Sequence, residues 1–336
     1  MTNPDSQLPA VPPRISIEID AVARLGFASA QARTAVIRSL ALEHAGAAAI
    51  AGAELHLWSE PAVARPRHWA IDRLAPGERL EIADLAVVLD PARLATLETS
   101  EPAMLRLELR QGGRVLARAE RAVTLLAREE WGGLGEMAHL LPAFVRPDAA
   151  VTSGLVEAAA ALLDQAGQGA PDGYRSGDAG RAWMQAAAIW SAASGWGLRG
   201  AVAGGGVAAR GQVLRAPHRI RAERLATPLD AALLLAAGAE ALGLNPMVAF
   251  AQGRVWCGVW LLDRDLGRVV EPDAVALRKA IAARELLVLD PELLGQGAGF
   301  EAAVTAGRAL GDEASEAGFI AAIDMAAARA AGTSLH

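Results

Sequence analysis

Residues 224–263, RLATPLDAALLLAAGAEALGLNPMVAFAQGRVWCGVWLLD, constrain this chain more than any other stretch. They read as a buried helix followed by a tight hairpin. The helix start is specified three times over. Thr227 is a good N-cap and Pro228 a favoured first helical residue. Asp230 adds negative charge in the first turn, where unpaired backbone N–H groups and the helix dipole favour it. The apolar run 231–237 falls well short of the roughly 18 residues a membrane span needs, so a core helix is expected.

A chain of 336 residues suits two domains, and 53% apolar with 21% charged residues is a globular balance. Of 32 basic residues, only Lys279 is a lysine, which fits a bias toward GC-rich codons. The net charge of −6 gives no electrostatic footprint for phosphate backbones, so direct nucleic-acid binding is not expected. Five arginines and His218 between positions 210 and 224 are expected to form a solvated loop face. The one cysteine, Cys257, has no internal disulfide partner, and the Pro-rich N-terminus has no apolar signal core. A cytoplasmic protein with no membrane contact and no cofactor is the expectation.

Residues 1–14 read as a disordered tail. Over 15–126 the signals are of strands: ISIEI (15–19), ELHLW (54–58), RLEIADLAVVL (79–89), and a hairpin in which Leu105, Leu107 and Leu109 alternate with Arg106, Glu108 and Arg110 before Gly112-Gly113. This predicts a β-sandwich, immunoglobulin-like in outline, with Trp58 and Trp69 as packing residues. Residues 127–150 read as a linker with a short helix, and 151–336 as an α+β domain ending in C-terminal helices. Trp131 is expected to anchor the linker. The spacing places helices over 153–167 and 180–197, with Trp183, Ala187, Trp190 and Ser194 as a stripe. Residues 281–290 are expected as one more strand and everything from Pro291 as helical, with Phe300 and Phe319 docking. Gly204-Gly205-Gly206 reads as a turn, since neither a phosphate-loop Lys-Ser/Thr nor a GxGxxG follows.

A thiol nucleophile works as thiolate, favoured at a helix N-terminus and activated by a neighbouring histidine that a carboxylate orients. Pro228 offers neither nucleophile nor N–H. Cys257, three residues after Arg254, has the opposite side-chain parity on a strand. His139 and His218 are isolated. Asp263, Asp265, Glu271 and Asp273 lack EF-hand spacing and read as a solvated acidic turn, so no metal site is expected. No GxSxG, HExxH or CxxC occurs.

Four segments carry a family resemblance: EEWGG (129–133), GRAWMQAAAIWSAASGWGLRGAV (180–202), the 224–263 stretch and FIAAIDMAAARAAG (319–332). The chain resembles the N-terminal part of large bacterial helicase-related proteins, a domain of unknown function. In these a β-sandwich precedes a transglutaminase-like, papain-like α+β module, and a superfamily-one helicase core and often a nuclease-like end follow. The family's helix opens Gly-Thr-Cys-Leu-Asp and its strand carries Gly-His-Ala-Phe. Here Pro228 stands at the cysteine and Arg254 at the histidine, while Thr227, Leu229, Asp230, Gly253, Gly258 and Trp260 match the frame. The resemblance implies a pseudoenzyme whose chain ends where the helicase-bearing part would begin.

Three functions follow as expectations. The first is a non-catalytic protein- or peptide-binding scaffold, with Arg254, Trp256, Tyr174 and Asp263 as binding candidates and an acid of the 263–273 turn closing onto Arg254. The second, which the resemblance implies, is an accessory part of a helicase or nuclease system, anti-phage defence included, with a helicase-like partner. The third is an enzyme with chemistry relocated to Cys257.

Overall fold

Alternation over the first 125 residues builds two antiparallel-dominated sheets around one core. A computed structural model describes residues 14–202, 211–251 and 253–332; the triglycine turn and the tail up to residue 13 lie outside the described residues. The chain is mixed α+β and divides into two units between Arg128 and Glu129.

In the first unit, strands β1 (Ile15–Ala21), β3 (Ile37–His44) and β6 (Arg79–Glu81) form one sheet. The other has the order β2-β8-β7-β4-β5, from β2 (Arg24–Leu25), β4 (Ile50–Glu60), β5 (Arg67–Leu74), β7 (Glu101–Gln111) and β8 (Arg114–Leu125). The hairpin β7–β8 turns at Gly112 and Gly113, both at positive φ (53° and 82°), which suits a tight turn matched to strand twist. Leu105, Leu107 and Leu109 are buried on its inner face and share a core with Leu40, Leu42, Leu55 and Leu57 from both sheets. Trp69 is buried and Trp58 half-buried.

The expected strand over 79–89 stops at Glu81. Beyond it, side chains of β5 claim the backbone: Trp69 Nε1 donates to the Asp84 carbonyl at 2.7 Å, and Arg67 reaches Asp84 and the Ala86 carbonyl. Strands β3 and β5 were not among the expected ones. The burial of IRSLALEH does not alternate, which hides its strand character.

Glu108 is buried on the otherwise outward face of β7, bonded by Arg110 (2.9 Å) and Arg118 (2.8 Å). The Arg110 guanidinium, then Arg118, holds its carboxyl below the usual glutamate range. A lowered folded value means stability that is present above the unfolded value near 4.3 and is lost as pH falls through the folded one. Glu108→Gln is therefore expected to destabilise the first unit by about 1 kcal/mol at neutral pH, because both arginines are well exposed. The difference between variant and wild type should shrink below pH 4 in urea titrations. A penalty unchanged at pH 3 would refute the charge pairing.

The second unit is built on a five-stranded antiparallel sheet of order β15-β17-β13-β14-β16. Its strands are β13 (Pro246–Ala251), β14 (Arg254–Trp260), β15 (Val270–Glu271), β16 (Leu286–Leu289) and β17 (Phe319–Asp324). Helices α3 (Ala150–Gln165), α4 (Ala179–Ser194) and α6 (Pro228–Ala241) share a core with one face of it. Every residue from Leu229 to Ala239 is buried, so α6 is enclosed on all sides and has no polar stripe, Asp230 being the one polar side chain of that run. Gly238 lets it approach its neighbours: a Cβ there would sit 3.0 Å from Ile189 of α4 and 3.3 Å from Leu155 of α3. The other face of the sheet packs Trp256, Trp260 and Met247 against Leu277 and Ala280 of α7 (Ala274–Ala282).

Three expectations are corrected in this unit. Residues 129–150 are not a linker outside the domain, because Trp131, Leu141 and Val145 lie in its core. Within 281–290 only Leu286–Leu289 is strand, since α7 runs on to Ala282. FIAAID is not helical but forms β17, between β15 and β13, with Met325–Ala330 as the helix that follows. Its run of apolar and small residues carries no period that separates a buried strand from a buried helix. Within α4 the inward stripe is Ala182, Ala186, Ile189 and Ala193 with Trp190. Trp183 is half-buried, in a T-shaped contact with Phe300 (5.6 Å, 85°).

No helix among the described residues is long and apolar enough to cross a membrane.

Candidate functional site

The N-terminus of α6 is closed by its own side chains. Thr227 Oγ1 accepts from the Asp230 N–H (3.1 Å), and Asp230 Oδ2 accepts from the Thr227 N–H (2.9 Å), a reciprocal capping box. Asp230 is fully buried and also takes the Arg215 N–H (2.9 Å) and the Arg215 guanidinium (3.1 Å). Gln212 Nε2 donates to Thr227 Oγ1 at 2.7 Å. At this helix end the Asp230 N–H is thus taken by the Thr227 hydroxyl and the Thr227 N–H by the Asp230 carboxylate. Pro228 is half-buried beside them.

The turn at Gly253 (φ 74°) feeds β14, whose first residue is Arg254. Its guanidinium pairs with Asp290 and lies 4.4 Å from the Trp256 ring centroid. Asp290, just past the end of β16, is buried and also caps the following turn through the Glu292 N–H (3.1 Å). An acid does close onto Arg254, as expected, but it is Asp290 and not a member of the 263–273 turn.

Alternation along β14 separates the expected site residues. Arg254 shares its face with Trp256 and Trp260, the side packed by α7, whereas Val255, Cys257 and Val259 share a core with α6. The helix carrying Pro228 and the side chain of Arg254 therefore belong to opposite faces of the sheet. Cys257 is completely buried, and burial pushes its thiol up to about 12.

The binding candidates do not converge on one surface. Trp256 is 2% exposed and cannot meet a partner, although its Nε1 is buried without a hydrogen-bond acceptor. Tyr174 is a clamp: its hydroxyl donates to the Trp260 carbonyl (2.7 Å) and accepts from the Asn245 N–H (2.8 Å). Burial raises its pKa. Asp263 is exposed and accepts from Asn245 Nδ2 at 3.2 Å. Tyr174 thus sits at the Trp260 end of β14, about 20 Å along the strand from Arg254 at roughly 3.3 Å per residue.

Asp265 and Asp273 of the acidic turn are exposed, as the solvated reading expects. Glu271 is buried and pairs with Arg268 at 2.9 Å, contrary to the solvated reading. Among the described residues no group of three or more His, Cys, Asp or Glu could hold a metal ion. Of the arginines at 210–224, Arg215 and Arg219 pair with Glu223, and Arg221 stacks on Trp196 (4.8 Å).

Sequence reasoning gave no sign of a cavity in this unit. It has a volume of about 820 Å³ and lies beside β16. Trp183, Leu261, Ile281, Leu286, Val288 and Val304 give it an apolar lining, and Arg278, Arg284 and Arg308 also line it. These residues come from elements scattered over 130 positions, so only the fold could bring them together. Volume and lining are those of a small-molecule site. No protein-family model matches this chain, and no curated protein matches it.

Proposed function

We propose that this chain is a non-catalytic binding protein, laid out as an immunoglobulin-like sandwich followed by a degenerate transglutaminase-like unit. The pairing of Arg254 with buried Asp290, on the sheet face opposite α6, carries the reading, since the two positions that the resemblance makes catalytic do not face each other. Where the family resemblance puts an imidazole oriented by a carboxylate, a guanidinium that cannot shuttle protons at neutral pH takes the carboxylate instead. The α6 N-terminus is closed by the reciprocal bonds of Thr227 and Asp230, and the one thiol is sealed in the core. What remains open is a cavity with apolar walls and cationic side chains, the equipment of recognition.

Thiol chemistry is the test. Native protein treated with iodoacetamide is expected to leave Cys257 unmodified, and modification should appear only in denaturant, as read by intact mass. The native protein is also expected to release no product from peptide esters or amides. Alkylation of the folded chain at the rate of a free thiol, accompanied by loss of any hydrolysis or acyl transfer, would overturn the non-catalytic reading.

A further inference from the structure

Strand β16 is the edge of its sheet, paired only with β14. The Trp260 N–H bonds the Asn245 carbonyl (3.0 Å), and the Leu261 N–H bonds the Glu285 carbonyl (2.9 Å). Glu285, Leu287 and Leu289 therefore turn their backbone groups toward β14, and Leu286, Val288 and Asp290 turn theirs outward. The Asp290 N–H is taken by the Ala303 carbonyl at 3.1 Å. Gly307 of α8 (Phe300–Gly307) covers the Val288 carbonyl so closely that a Cβ there would sit 2.0 Å from it. The Leu286 N–H and carbonyl and the Val288 N–H are left without a backbone partner among the described residues. Both residues line the cavity, so its apolar wall carries polar backbone groups.

The charge of the cavity is uneven. Arg278 is neutralised by Glu316 (3.1 Å) and Glu313 (4.0 Å). Arg284 and Arg308 are exposed, and neither makes an ion pair or side-chain hydrogen bond among the described residues. Asp312 is the one acid of the lining. Apolar walls with two unpaired guanidiniums complement a molecule that is greasy over most of its surface and anionic.

We propose that the cavity beside β16 binds a small amphipathic carboxylate. The apolar body lies against Trp183, Leu261, Ile281 and Val304, and the carboxylate is held by Arg284 and Arg308. The proposal names the ligand class of the binding reading above and rests on it.

Decanoate is the probe and 1-decanol its neutral counterpart, both titrated calorimetrically into the full-length chain. Decanoate is expected to bind and to raise the melting temperature. The double variant Arg284→Gln/Arg308→Gln should weaken decanoate at least about tenfold while leaving decanol unchanged, since one loses charge-assisted bonds and the other never made them. Ala282→Trp, at an exposed lining position, should abolish binding of both by filling the space. Absence of decanoate binding, equal binding by wild type and the double Gln variant, or full binding by Ala282→Trp would each overturn the proposal. The inertness of Cys257 is measured separately, so an empty cavity with a silent thiol would remove the ligand class alone.

Discussion

Asp230→Ala is expected to lower the stability of the second unit by about 3 kcal/mol, measured by urea unfolding of the full chain. The carboxylate is fully buried and has three partners: the Thr227 N–H, the Arg215 N–H and the Arg215 guanidinium. Removing one member of a buried pair leaves the other charge uncompensated, which costs about 3–5 kcal/mol. Two backbone N–H groups also lose their acceptor, at about 1–3 kcal/mol each when they stay dry. The loss is set at the lower end of the ion-pair figure, with no addition for the N–H groups, because Arg215 keeps Glu223 and a quarter of its side-chain surface, so water reaches the vacated site. Asp230→Asn should fall between wild type and alanine, since it keeps one acceptor but turns an amide N–H₂ toward existing donors. A loss under about 1 kcal/mol for alanine would mean that water replaces the carboxylate and that this helix end is open.

The second large effect is expected at Trp131. This side chain is fully buried, stacks on Phe250 of β13 (5.6 Å, 28°) and donates its Nε1–H to the Met137 carbonyl at 2.9 Å. Its backbone pairs with Gln212, and Gly211 approaches so closely that a Cβ there would lie 1.9 Å from the Trp131 carbonyl. Trp131→Ala should cost about 3–5 kcal/mol, the usual penalty for emptying a buried aromatic site. Trp131→Phe should recover most of it, less the hydrogen bond of about 1 kcal/mol. A first unit that unfolds unchanged in the same protein would serve as internal control. Equal destabilisation of both units by Trp131→Ala would contradict the placement of residues 129–150 in the second unit alone.

Legibility in the sequence followed the range of the forces involved. Thr227, Pro228 and Asp230 announce a helix because a cap needs only neighbours within one turn. The alternation Leu105, Leu107, Leu109 with Gly112-Gly113 announces β7–β8 because a two-residue turn fixes its own register. Segments buried on every side carry less of this signal. FIAAID resembles the apolar runs of the helices, and it becomes a strand because β13 and β15 offer hydrogen bonds on both sides. Residues 281–284 lose their expected strand pairing to the end of α7 and the turn after it, where Arg284 adopts a left-handed φ of 58°. Glycines and prolines, which mark loops and give 127–150 the look of a linker, also occur in irregular segments that bury large side chains such as Trp131.

The candidate site shows the same division. That positions 228 and 254 hold Pro and Arg is a property of the sequence and needs no coordinates. So is the confinement of any thiol chemistry to Cys257. Which acid meets Arg254 was decided by the β14–β16 register, which brings in Asp290 from 36 residues away. Strand alternation in the packed sheet put Arg254 on one face and α6 on the other. The cavity beside β16 exists only because an edge strand is flanked by α7, α8 and the start of α4. Local hydrogen bonds and turn conformations write themselves into consecutive residues; a sheet edge, its register and the space beside it depend on chain segments that are neighbours only after folding.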